Sequence, residues 1–310
     1  MKSSYLTIFV IFLCISCCII AGCTSDSNLK ANNNSDEQKV SKIVIGAKPF
    51  NEQYILSEMV AILLEDKGFD TEIKSGMNDA TLYEGIKRGQ IDIYIEYTGT
   101  AYSQLLKLEP LETWDTDTVY SKVNEGLKEN GITPLFKIGF RDDYAIAVKK
   151  DWAEDNNVNT IEDLITFAPD MTFGSDLVFH EREDGLLRLK EVYNIEFMDI
   201  KPMSPTLMYE AIDKDQVSAI PPYTTDARVT LYNLKILEDN KAAMPPYETM
   251  LLIRSELAEN KEIVSALNVL NERIDTDKMR ELNLEFDIDK KDANDIAKRY
   301  LMSEGLISNQ

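Results

Sequence analysis

The chain has 310 residues, 44% of them hydrophobic, and sets 33 Lys and Arg against 54 Asp and Glu for a formal net charge of −21. That balance excludes a nucleic-acid binder, which needs a basic face toward phosphate. It would also repel anionic lipid headgroups, so any membrane association must come from an anchor rather than from surface charge.

The first stretch, "MKSSYLTIFVIFLCISCCIIAGC", has a short positive start at Lys2, an apolar run from about Leu6 to Ile20, and small residues before Cys23. This is the pattern of a lipoprotein signal peptide, residues 1–23, with Cys23 as the lipidated residue. An uncleaved membrane anchor is the alternative, disfavoured by the modest apolar length and the position of Cys23. Cys14, Cys17 and Cys18 would leave with the signal. The mature chain is then expected to have no disulfide and no thiol catalyst, and to lie outside the cytoplasm, held to the cell membrane by lipid. Residues 24–40, "TSDSNLKANNNSDEQKV", are polar with no apolar period and read as a flexible tether.

From Ser41 the alternation of elements is clear. Ile43 to Ile45 form a short apolar strand, and Pro49 and Asn51 open a helix whose stripe is Ile55, Leu56, Met59, Val60, Leu63 and Leu64, with Gly68 at its end. A strand from Thr71 to Lys74, a helix from Ala80 to Arg88 and a strand from Gln90 to Ile95 continue the βαβ order. After a helix over Val119 to Glu129, "DDYAIAVKKDW" and "MTFGSD" read as strands, "EREDGLLRLKEVY" and "SPTLMYEAIDKD" as helices, and "QVSAIPP" as a strand. "PPYETMLLIRSEL" returns to a strand, and helices over Lys261 to Arg273 and Asp292 to Met302 follow. The fold class is therefore α/β with mainly parallel sheets covered by helices.

One unit occurs twice. "YEGIKRGQIDIYIEYTGT" from Tyr83 and "YEAIDKDQVSAIPPYTTD" from Tyr209 match in register at an offset of 126 positions (209 − 83). Two similar units in two halves predict two lobes with a cleft between them: 41–141 and the return segment 247–310 in one, 142–246 in the other. Each copy ends in a tyrosine just past a buried strand, Tyr97 and Tyr223, and tyrosines also stand at the two expected crossings, Tyr144 and Tyr247. Pro221–Pro222 and Pro245–Pro246 stiffen the approach to two of them. Four such rings suggest an aromatic box. A quaternary ammonium offers no N–H to a hydrogen bond, and what binds it is the negative face of a ring, about 0.5–2 kcal/mol each. Singly, each tyrosine also reads as a half-buried packing residue.

The chain resembles the substrate-binding lipoproteins of osmoprotectant ABC importers, which bind glycine betaine, choline, carnitine or proline betaine. The likeness rests on "IGAKPFNEQYILSEM", "GQIDIYIEYTGT", "DDYAIAVKKDWAE", "FGSDLVFHEREDGLLRLKEVY", "YTTDAR" and "LEDNKAAMPPYE". It implies a two-lobed type II periplasmic binding protein that closes on its ligand, with an ABC permease and ATPase as partners and no cofactor. The family's tyrosine cage falls on Tyr97, Tyr144, Tyr223 and Tyr247. Its contacts to a ligand carboxylate fall on Lys48, Thr100 and Arg182, and Asp142 matches a position whose backbone carbonyl meets the methylammonium group. Lys48 precedes a helix N-terminus, which already favours an anion, and an arginine offers a carboxylate a two-pronged fork. The plain alternative for Arg182 is an ion pair with its neighbours Glu181, Glu183 or Asp184.

Where relatives commonly have Gly-Gly-Thr, this chain has Met77-Asn78-Asp79. An acid facing the cleft at Asp79 would repel a ligand carboxylate and accept a bond from a hydroxyl, favouring choline, whereas Lys48 and Arg182 favour glycine betaine. The alternative is Asp79 as a helix N-cap. An enzyme is not expected: His180 is the only histidine, no cluster has metal-ligand spacing and no Gly-rich loop follows a strand. The expected function is thus extracytoplasmic capture of a quaternary ammonium osmoprotectant, glycine betaine first. The alternatives are a choline-preferring protein, a sensor domain for the same ligands, and a dehydratase-like enzyme on the same fold.

Overall fold

The computed structural model describes residues 42–308. The signal peptide, Cys23 and the tether expected over 1–40 lie outside the described residues.

Among the described residues, ten strands form two five-stranded sheets. The first contains β1 (Ile43–Gly46), β2 (Thr71–Lys74), β3 (Ile93–Tyr97), β4 (Ile132–Arg141) and β10 (Glu248–Arg254), in the order β2-β1-β3-β10-β4. The second contains β5 (Ile146–Lys149), β6 (Thr172–Asp176), β7 (Asp199–Met203), β8 (Ala219–Ile220) and β9 (Leu234–Leu237), in the order β7-β6-β8-β5-β9. β1 runs parallel to β2 and β3, and β6 parallel to β7 and β8. The reversed strand is β10 in the first sheet and β5 in the second, each the first strand after the chain has changed sheets.

Helix α1 (Asn51–Glu65) buries the stripe its periodicity predicts: Ile55, Leu56, Met59, Val60 and Leu64 are fully buried. It packs with Ile93 and Ile95 on one face of the first sheet. Helix α2 (Asp79–Lys87) puts Leu82 and Ile86 with Tyr94 on the opposite face. Alternate residues of β3 therefore serve two cores, and each fully buried aliphatic chain contributes about 1.5–3 kcal/mol.

The repeated unit occupies equivalent places in both sheets. Asn78 caps α2 by accepting a bond from Thr81 N–H, and Ser204, 126 positions on (204 − 78), caps the helix Pro205–Asp213 through Leu207 N–H. Gly89 and Asp215 both have positive φ at the helix ends, and the strands that follow enter through Asp92 N–H to Val44 O and Ser218 N–H to Thr172 O.

Several elements differ from expectation. β4, β7 and β9 were not foreseen, nor was the helix Thr276–Asp287. β4 buries alternate residues from Ile132 to Phe140, but Pro134 and Gly139 interrupt its sequence. It tolerates them because it is an edge strand, where a missing backbone donor costs no ladder bond. The helix expected over Lys261 to Arg273 ends at Leu267 and continues as a tight 3₁₀ turn, Asn268–Leu270.

Candidate functional site

Two backbone segments join the sheets and lie side by side. Asp142 N–H donates to Tyr247 O at 3.0 Å, and Tyr247 N–H donates to Asp143 Oδ1 at 2.7 Å. Tyr144 and Tyr223 face each other in an isolated antiparallel bridge, and Ala145 N–H donates to Pro222 O at 3.0 Å. The rings follow the backbone. Tyr144 lies 4.9 Å from Tyr223 and 5.7 Å from Tyr247, centroid to centroid, with the hydroxyls of Tyr144 and Tyr223 3.1 Å apart. Phe179 supports Tyr144 from behind at 5.2 Å.

These rings border a cavity of about 320 Å³. Every residue singled out from the sequence as a ligand contact lines it: Tyr97, Tyr144, Tyr223 and Tyr247, then Lys48, Asp79 and Thr100, then Asp142 and Arg182. Pro49, Phe50, Met77 and Asn78 complete the wall. Tyr97 differs from the other three tyrosines: its ring stacks on Phe50 at 6.3 Å, and Lys48 Nζ stands 4.8 Å from its centroid. Burial raises all four phenols, Tyr144 to about 12 and the others well above their ordinary value, so all are neutral at physiological pH.

The charges are arranged otherwise than the sequence suggests. Lys48 Nζ is bonded to Glu96 Oε1 at 2.5 Å and to Asp79 Oδ1 at 2.6 Å. Burial works against its charge, but the two acids outweigh burial and raise it, so it stays protonated. One ammonium is shared by two carboxylates, and burial dominates for the deeper one, pushing Glu96 up to about 7. Arg182 grips Asp184 with two bonds of 2.6 Å and donates to Tyr247 Oη at 3.0 Å. The local ion pair that stood as the alternative for Arg182 therefore forms, inside the cavity wall rather than on an open surface: its side chains are 19% and 12% exposed. Asp79 is not the cap of α2; Asn78 is, and Asp79 stands at the first helical position with its carboxylate on Lys48.

Behind Tyr97 lies a second buried acid. Tyr97 Oη donates to Glu52 Oε1 at 2.5 Å, and Asn283 Nδ2 donates to both Glu52 Oε2 and Thr225 O at 3.1 Å. Thr225 Oγ1 in turn donates to Asp142 Oδ1 at 2.6 Å. Burial raises Glu52 despite these bonds, and burial with the nearby Glu52 raises Asp142 well above the usual carboxylate range.

The run Glu96-Tyr97-Thr98-Gly99-Thr100 can now be assigned residue by residue. Glu96 holds Lys48, and Tyr97 and Thr100 line the cavity. Thr98 Oγ1 donates to Pro246 O at 2.8 Å and accepts from Glu248 N–H at 3.0 Å, which fastens the second joining segment to the end of β3. At Gly99 a Cβ would stand 2.7 Å from the Tyr247 ring, so only glycine lets that ring approach. Sequence reasoning missed Glu96, Glu52, Phe50 and Gly99 as site residues. The signal for Glu96 and Gly99 was their place inside the repeated unit beside Tyr97.

A family model for the substrate binding domain of the ABC-type glycine betaine transport system matches residues 41–303. The carnitine transport binding protein OpuCC of Listeria monocytogenes is 30% identical over 97% of this chain and 97% of its own length. The ergothioneine transport permease/ergothioneine binding protein EgtU of Helicobacter pylori is 30% identical over 88% of this chain, which spans about half (49%) of that relative's length. Among solved structures, one described as a glycine betaine/carnitine/choline ABC transporter is 27% identical, with a TM-score of 0.79 over 85% of this chain and 99% of that one.

Proposed function

The chain belongs to the family of substrate binding domains of ABC-type glycine betaine transport systems, and from that premise we propose that it captures a quaternary ammonium solute in its tyrosine-lined cavity and delivers it to an ABC permease. It is the substrate-binding component of an importer and not an enzyme, which removes the dehydratase-like alternative. The observation that carries the ligand class is the convergence of Tyr144, Tyr223 and Tyr247 on one cavity, with ring centroids 4.9 and 5.7 Å apart. Their hydroxyls are engaged by one another or by Arg182. What they offer a ligand is the π face, which suits a cation that has no N–H.

Two readings of the ligand's other end follow. Glycine betaine draws support from Lys48 and Arg182 in the wall. Choline draws support from a specific observation: both cations already hold carboxylates, Asp79 and Glu96 on one, Asp184 on the other. A ligand carboxylate would have to share an occupied ammonium or displace an acid, whereas a hydroxyl can bond to Asp79. With both cations paired, the choline reading is the better supported. Closure of residues 142–246 against 41–141 and 247–310 would seal the cavity, since its wall draws on both sheets' segments. The membrane anchor through Cys23 rests on the sequence alone: Cys23→Ser should move the protein to the soluble fraction with ligand affinity intact, and continued membrane binding would favour an uncleaved anchor.

Calorimetry of the full chain against choline, glycine betaine, carnitine, proline betaine and ergothioneine tests the proposal. Binding of at least one at micromolar concentration is expected; no binding of any up to millimolar concentration would overturn it.

A further inference from the structure

Glu96 holds Lys48 from behind and does not itself line the cavity. It is fully buried at the end of β3, and its Oε1 takes Lys48 Nζ at 2.5 Å and Tyr97 N–H at 2.8 Å. Its second oxygen, Oε2, is buried with no hydrogen-bond partner among the described residues. An ionised carboxylate left with a dry, unbonded oxygen is costly, whereas a carboxylic acid can keep its proton on that oxygen. The groups that face it are few. Lys48 comes from the turn after β1, and Asp79 from the start of α2 acts through the same ammonium. Tyr94, on its own strand, carries a buried hydroxyl without a partner among the described residues. Across the ladder, β10 presents Met250, which has no charge. From α1, Glu52 takes the Tyr97 phenol and feels Lys48 through space.

We propose that Glu96 is a positioning residue that decides between ligand classes: a quaternary amine bearing a carboxylate binds with uptake of one proton from solvent onto Glu96, and one without a carboxylate binds with no such uptake. The inference rests on the quaternary-ammonium reading above. With Glu96 ionised, Lys48 is shared by two acids and has little charge to offer the cavity. A ligand carboxylate arriving at Lys48 would put three anions around one cation. Protonating the one that is buried and half-unbonded relieves the crowding at least cost, since Asp79 keeps water contact at 44% exposure. Burial already brings Glu96 to about 7, so a push from a ligand carboxylate favours its protonation near neutral pH.

The test is calorimetry of the full chain with glycine betaine and with choline, in phosphate and in Tris, at pH 8 and pH 6. Glycine betaine should take up close to one proton at pH 8, and its affinity should rise about five- to tenfold from pH 8 to pH 6, while choline shows neither effect. In Glu96→Gln the uptake should vanish, and the glycine betaine to choline affinity ratio at pH 8 should reach the value the unaltered protein attains at pH 6. Asp79→Thr, which leaves only two anions on Lys48 when glycine betaine is bound, should reduce the uptake at pH 8. A proton count of zero for glycine betaine at pH 8 in the unaltered protein overturns the proposal even if Glu96→Gln does not fold. So does uptake that survives Glu96→Gln or is undiminished in Asp79→Thr. Failure of both ligands to bind would instead overturn the functional reading.

Discussion

Asp79→Thr is the substitution that separates the two ligand readings. Asp79 stands 2.6 Å from Lys48 Nζ, and any carboxylate bound to the same ammonium would lie on the order of 5 Å from it. At an effective dielectric constant of about 20, two like charges at that distance repel by about 3 kcal/mol. The Asp79 side chain is 44% exposed, so solvent screening reduces this to about 1–1.5 kcal/mol. Glycine betaine affinity should therefore rise about tenfold in the variant. Choline should weaken several-fold, because it loses both a nearby countercharge and an acceptor for its hydroxyl. The helix should survive, since Asn78 and not Asp79 caps it; loss of an acid at the first helical position costs about 0.3–1 kcal/mol. Calorimetry at moderate ionic strength gives both affinities, and thermal melting checks the fold. Affinities for both ligands that stay within twofold of the unaltered protein would refute the reasoning, showing that Asp79 does not act on the ligand through Lys48.

Replacing Tyr144, Tyr223 or Tyr247 singly by Ala should each weaken quaternary ammonium binding tenfold or more, about 1.4 kcal/mol per ring; unchanged calorimetric affinity in two of the three would dismiss the cage. Gly99→Ala should also reduce affinity, by displacing Tyr247 without touching the ligand, and a variant that binds as well as the parent would show that the ring has room to yield. Glu52 is raised above its ordinary 4.5, first by burial, so the folded state holds its proton more tightly than the unfolded chain. The stability this contributes is full below that value and is lost as pH rises through the folded one. Melting temperatures of Glu52→Gln should accordingly gain on the parent between pH 5 and pH 8, and a constant difference across that range would contradict the assignment.

Much of this protein follows from the order of its residues. The stripe of α1, the strands beside it and the repeat with its cap at Asn78 and Ser204 are local patterns of side-chain spacing, and local spacing is what a helix or strand requires. All nine residues expected from the sequence to contact a ligand line one cavity, because strand ends and joining segments are where an α/β fold exposes its side chains to a ligand. β4 was missed where Pro134 and Gly139 disguise an alternation that only an edge position makes tolerable. What tertiary structure alone decided is the charge of the site. Glu96 lies 48 positions from Lys48 and Glu52 lies 45 from Tyr97, so neither contact has a periodicity to announce it. In the sequence Lys48 is a free cation waiting for an anion. In the folded protein two acids from separate elements already share it, and burial then determines how much of its charge a ligand can feel.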